Sequence, residues 1–188
     1  MDIRLLKETD SSAYSELWRT ALEEQDEFFR ISIQDEPSPQ IQTEFSKESF
    51  TLGAFINGDL LGTVSIQRNT QTKLNHKALL FRMFVHSSAS GKGVGKALVN
   101  EAITQTKSIQ GLRQINLTVL DVNPRAIHLY NSAGFKVFAH ELESVKIQNE
   151  FIGELQMVLF VSTPNKQLKL TPATKSVASV GTLVPRAP

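Results

Sequence analysis

Apolar and polar positions along the chain change period repeatedly, and each change marks an element. Ile3 to Lys7 is short and apolar enough for a strand. Tyr14, Leu17, Trp18, Ala21 and Leu22 then recur at helical spacing, with Asp10 as the expected N-cap. From Phe28 to Pro39 the period is lost and turn residues accumulate, so a loop is expected. Phe50 to Ile56 and Leu60 to Gln67 read as two strands, the second with Thr63, Ser65 and Gln67 alternating against Val64 and Ile66. Asn57-Gly58 between them predicts a type I′ hairpin, because both central residues of that turn need positive φ.

A polar loop, Asn69 to Asn75, precedes a mostly apolar strand from Ala78 to Val85, which is expected to be buried on both faces. Val94, Leu98 and Ala102, with Val99 and Ile103, give a helix from Val94 to Ile109 that stops at Gly111. Ile115, Leu117 and Val119 form the next strand. Asn123-Pro124 opens the last helix, with Asn as cap and Pro at the first helical position, and Gly134 ends it. Phe135 to Leu142 and Glu154 to Val161 are the final strands, joined by a polar loop. The order predicts an α/β fold: one domain, residues 1–161, with a mixed sheet of about seven strands flanked by helices on both faces.

Composition narrows the chemistry. The 188 residues suffice for one domain with a proper core. There are no cysteines, which excludes disulfides, thiolate metal sites and a cysteine nucleophile; no metal is expected. The net charge is +1, but from Ser162 onward there are basic residues and no acidic ones, so the body is slightly acidic and a poor general binder of nucleic-acid backbone. Residues 162–188, rich in Pro, Ser, Thr and Lys, are expected to form a flexible tail. Leu183-Val184-Pro185-Arg186 resembles a thrombin cleavage sequence, as in a tag remnant. The first residues carry charge from position 2 and lack the apolar core of a signal peptide, and no apolar run approaches a membrane span. A cytoplasmic protein without a membrane partner is the expectation.

The candidate chemistry starts at Ser90-Gly91-Lys92-Gly93-Val94-Gly95-Lys96-Ala97. Closely spaced glycines let several backbone N–H groups converge on one anion, and the following helix adds its positive end. A Walker A loop is excluded: Gly91 and Gly95 are one residue too close, and Ala97 stands where a Mg²⁺-binding hydroxyl belongs. The dinucleotide fingerprint is excluded by spacing and by its place after the fourth strand rather than the first.

Met83-Phe84-Val85 followed by Ser90 to Gly95 resembles the acetyl-CoA signature of the GNAT superfamily of N-acetyltransferases: Gln or Arg, two residues, Gly, one residue, then Gly or Ala. Gly93 and Gly95 match its small positions, and Ser90 departs from its first. Leu117-Thr118-Val119, then Asn123-Pro124-Arg125-Ala126-Ile127-His128-Leu129-Tyr130, then Gly134-Phe135, is similar to a second block of that family. The resemblance covers Ile3 to about Val161.

The resemblance implies the GNAT fold and direct attack of an amine on the thioester of acetyl-CoA, with no metal. It implies a pyrophosphate cradle from Ser90 through Gly91, Lys92, Gly93, Val94 and Gly95 to Lys96. Pantetheine contacts would fall on Met83, Phe84 and Val85, with the Phe84 N–H polarising the carbonyl. Asn123 would cap its helix and contact the cofactor, and Tyr130 would touch the cofactor and donate a proton to the leaving thiolate. Two family positions for a base fall on Leu79 and Thr118, which cannot serve. Glu154 is the remaining candidate base; His86 reads as a loop residue, and a water chain is an alternative carrier. Phe28, Phe29, Arg30, Asp35 and Glu36 are candidates for the acceptor pocket. The expected acceptor is a small-molecule or amino-acid amine. A protein amine, or an acyl-CoA sensor without turnover, are the alternatives. A homodimer is compatible with the sequence.

Overall fold

The structure, a computed structural model, describes residues 1–161; the expected tail lies outside them. Seven strands and three α-helices alternate as β1 (Asp2–Leu5), α1 (Ser11–Glu24), β2 (Ser49–Ile56), β3 (Asp59–Arg68), β4 (Lys77–Val85), α2 (Val94–Thr106), β5 (Gln114–Leu120), α3 (Pro124–Ser132), β6 (Lys136–Ile147) and β7 (Glu150–Phe160). The strands make one sheet in the order β1-β2-β3-β4-β5-β7-β6, in which only the β4–β5 pair is parallel.

Alternation along the strands sorts the core into two layers. Phe50, Leu52, Ala54, Val64 and Ile66 share one cluster with Val94, Leu98, Val99 and Ala102 of α2. Leu60 and Phe84 share the other with Tyr14, Leu17, Trp18, Ala21 and Leu22 of α1. The α1 stripe read from the sequence is therefore the buried face of that helix. Asn57 and Gly58 both have positive φ, 54° and 96°, as the hairpin requires.

Four details differ from the sequence reading. Asp10 occupies the N-cap position of α1 but makes no capping bond. Its carboxylate instead accepts two hydrogen bonds from Arg4, each 2.8 Å, and one from the Lys7 N–H. The second helix ends at Thr106 rather than Ile109. The last two strands are not joined by a long polar loop: β6 and β7 pair as far as Ile147↔Glu150, closed by a two-residue turn with Gln148 at φ 55°.

The fourth difference shapes the molecule. Strand β4 is not buried on both faces; Leu79 is 43% exposed. Between Thr63↔Phe84 and Ser65↔Phe81, β4 carries one more residue than β3, and Arg82 there has φ 49°. Such a bulge bends a strand and shifts its alternation by one. Leu80 accordingly packs with the α2 layer, whereas Phe84, four residues on, packs with the α1 layer.

Candidate active site

Strands β4 and β5 are in register only from Lys77↔Gln114 to Leu79↔Asn116. Beyond that point they part, and β4 from Leu80 to Val85 has no partner on its β5 side. The separation opens a cavity of about 1430 Å³ that runs between the two strands. Its walls come from α1, the 28–42 segment, the β4 bulge, the glycine loop, the ends of β5 and β7, and α3.

At one end lies the glycine loop. Gly91 and Gly93 have φ of 74° and 79°, and a Cβ at either would meet nothing within 4 Å. The left-handed backbone, not crowding, is what calls for glycine there. Gly95 is different: a Cβ would approach Met83 Cε at 3.2 Å and Leu129 Cδ2 at 3.4 Å, so its smallness lets α2 sit close to β4 and α3. Gly93 is the N-cap of α2 and offers no side chain, which leaves the first N–H groups of that helix for another partner. Ser90, Gly91, Gly93, Val94, Gly95 and Lys96 line the cavity; Lys92 is exposed and does not.

The second helix N-terminus at the cavity is that of α3. Asn123 Oδ1 accepts from the Ala126 N–H at 3.0 Å, which fixes the first turn. The side-chain NH₂ of Asn123 remains a donor. Less than two turns later Tyr130 also lines the cavity. Its ring packs edge-on against Phe135, with centroids 5.9 Å apart. Burial pushes its hydroxyl above the usual tyrosine range, so it keeps its proton at any physiological pH.

The opposite end is aromatic and charged. Trp18, Phe29 and Phe84 make mutual edge contacts, with centroids 5.2 to 6.5 Å apart. Arg82, placed by the bulge, reaches out to the 28–42 segment. It donates to both oxygens of Glu36 at 2.6 and 2.5 Å and to the Gln40 carbonyl at 3.1 Å. It also donates to the Tyr14 hydroxyl at 3.1 Å and lies 5.1 Å from the Trp18 ring centroid. Glu154 sits on β7 between Leu120 and Glu141, only 2% exposed, with Arg30 Nε 3.4 Å from its carboxylate.

The cavity thus brings together Met83, Phe84, Val85, the loop residues, Asn123, Tyr130, Glu154, Phe28, Phe29, Arg30, Asp35 and Glu36. Leu79 and Thr118, the two positions without a base, line it as well. His86 instead turns its Nδ1 to Ser88 at 2.8 Å. Sequence reasoning missed Trp18, Arg82 and Arg125. Arg82 left a signal, a lone charge inside the apolar run Leu80-Phe81-Arg82-Met83-Phe84-Val85.

The cavity thus combines a glycine loop at a helix N-terminus, a strand with a free edge and a buried tyrosine. The profile of the Acetyltransferase (GNAT) family matches residues 14–135, and the chain belongs to that family. Spermidine N(1)-acetyltransferase of Vibrio cholerae is 30% identical over 87 residues, 46% of this chain and 50% of that one. Spermine/spermidine N(1)-acetyltransferase of Bacillus subtilis is 29% identical over 110 residues, 57% and 67% of the two chains. The chain thus spans half the length of the Vibrio relative. The fold matches the GNAT acetyltransferase of Streptococcus pneumoniae with a TM-score of 0.74 at 25% identity, covering 86% of this chain and 99% of that one. It also matches yncA of Salmonella typhimurium, solved with its cofactor acetyl-CoA, at TM-score 0.71 and 18% identity, over 88% and 98% of the chains. Among the described residues no helix is long and apolar enough to cross a membrane.

Proposed function

We propose that the protein transfers an acetyl group from acetyl-CoA to a primary amine of a small molecule or amino acid, by direct attack. The parting of β4 and β5 carries this reading, because it puts the glycine loop, Tyr130 and Glu154 on one cavity. The residues fit the cofactor: the open left-handed glycines leave room for a pyrophosphate against the α2 N-terminus, and the free β4 edge leaves backbone groups for the pantetheine. Bound acetyl-CoA supplies the activated thioester.

The Thr63↔Phe84 pairing, in step with the His86 N–H on the Leu61 carbonyl, turns the Phe84 N–H toward β3 rather than the cavity, so in this mechanism a backbone N–H on the free side of β4 polarises the thioester carbonyl. The aromatic cluster of Trp18, Phe29 and Phe84 orients the acceptor, so that its nitrogen approaches the carbonyl from the α1 side. Glu154 accepts the amine proton as the C–N bond forms. The C–S bond breaks, and Tyr130 protonates the departing sulfur, a role suited to a hydroxyl that burial holds protonated. Glu36 and Glu154 already face Arg82 and Arg30. That pairing favours an acceptor of low positive charge over the polyamines named for the relatives.

The test is thiol release from acetyl-CoA across a panel of monoamines, amino acids, polyamines and peptide amines. Turnover with a monoamine or amino acid is expected. Turnover confined to peptide amines would move the acceptor to proteins. Acetyl-CoA binding with no release across the panel would make the protein a sensor.

A further inference from the structure

The GNAT-like motif opens with Arg or Gln where this chain has Ser90, which removes a side chain from the phosphate end of the cavity. The structure refills that place from elsewhere. Arg125, in the first turn of α3 and thirty-five residues along the chain, donates from Nη2 to Ser90 Oγ at 2.5 Å. Both residues line the cavity beside Gly91 and Gly93. The turn that presents Arg125 is held by Pro124 at its start and by the Asn123 cap. Among the described residues no carboxylate pairs with Arg125. Its contact with Ser90 uses one N–H of a guanidinium that carries five, in a planar fork matched to phosphate oxygens.

We propose that Arg125 is a cofactor-binding residue. Held by Ser90, it delivers to the pyrophosphate of coenzyme A the side-chain N–H donors that the motif draws from its own first position, together with a positive charge. Ser90 then acts as a positioning residue. The proposal rests on the acetyl-CoA reading above. Backbone N–H groups alone would bind the diphosphate by partial charges, whereas a guanidinium adds a charge-assisted, two-pronged contact.

Calorimetric titration of the full chain with acetyl-CoA and with dephospho-CoA, which lacks the 3′-phosphate, tests this. Arg125→Ala should weaken both ligands alike, by roughly tenfold to a hundredfold, and added salt should affect the variant less than the wild type. Arg125→Lys should lie between the two. Ser90→Ala should cost a few-fold, and Ser90→Arg placed on Arg125→Ala should restore much of the loss. Arg125→Ala affinities within twofold of wild type for both ligands would overturn the proposal. So would a loss seen with acetyl-CoA and absent with dephospho-CoA, which would assign Arg125 to the 3′-phosphate. Failure of the wild-type chain to bind acetyl-CoA at all would instead refute the functional reading beneath it.

Discussion

Replacing Arg82 by Met removes the guanidinium and keeps a long apolar stem beside Trp18. The Arg82 side chain is 6% exposed and that of Glu36 is 19% exposed, so the substitution leaves a largely buried carboxylate without its partner. Breaking such a pair from one side costs about 3–5 kcal/mol, and the partial exposure of Glu36 puts the expectation near the lower end, about 3. For a domain of this size about 3 kcal/mol lowers Tm by roughly 6–12 °C. Adding Glu36→Gln removes the stranded charge, so the double variant should regain about 2 kcal/mol; what remains lost is the contact to Tyr14 and Gln40. Urea denaturation of wild type, both singles and the double completes the cycle. The same arginine ties the 28–42 wall to the sheet, so the amine KM should rise several-fold while acetyl-CoA affinity holds. A double variant as unstable as Arg82→Met, or a single that costs under about 1 kcal/mol, would refute the reasoning.

Three other outcomes are expected. Tyr130→Phe should lower kcat by about 10²–10⁴ with an unchanged circular dichroism spectrum; an unchanged kcat would end its role as proton donor. Glu154→Gln should lower kcat by about 10²–10⁴ with acetyl-CoA affinity held, and an unchanged kcat would dismiss it as base. The hydrogen bonds from Arg4, with help from the Lys7 N–H, hold the Asp10 carboxyl at about 2, below its ordinary value. A depressed carboxylate stabilises the fold above its unfolded value near 4 and loses that contribution as pH falls toward 2. Asp10→Asn should therefore cost about 1 kcal/mol at neutral pH, since Arg4 is partly solvated, and the gap should close between about pH 4 and 2. Chemical denaturation at several pH values reads it directly; a gap unchanged at pH 2 would contradict it.

The element order and the two motif blocks were legible because each has a local cause. Asn57-Gly58 needs positive φ, Asn123-Pro124 caps a helix, and the α1 stripe repeats at helical spacing. What stayed hidden depends on partners. Asp10 reads as a cap until Arg4, six residues earlier, competes for it. The bulge in β4 marks the sequence as the charge of Arg82 in an apolar run, but the slip itself stays hidden, since a change of alternation is visible only where apolar and polar residues alternate. The full length of β6 and β7 was lost for the related reason that their outer half keeps no clean alternation: Leu142 and Phe151 are exposed while Ser144, Val145 and Ile147 are half-buried. In the cavity, the lining residues of the glycine loop and α3 were legible through contiguous motifs, whereas the Arg82–Glu36 and Arg125–Ser90 pairs join residues 46 and 35 positions apart.

The bulge at Arg82 has a consequence for how this gene tolerates change. Met83, Phe84 and Val85 owe their facing to a count of residues more than to their chemistry. Substitution scans across β4 should find many apolar replacements acceptable. Removing one codon at 82 or 83 is another matter. It would take out the extra residue, leave Phe84 opposite Thr63 and Val85 opposite Gly62, and let β4 continue straight alongside β5. The cavity would close with no residue of the glycine loop or α3 altered. Length in this strand is under stricter constraint than identity.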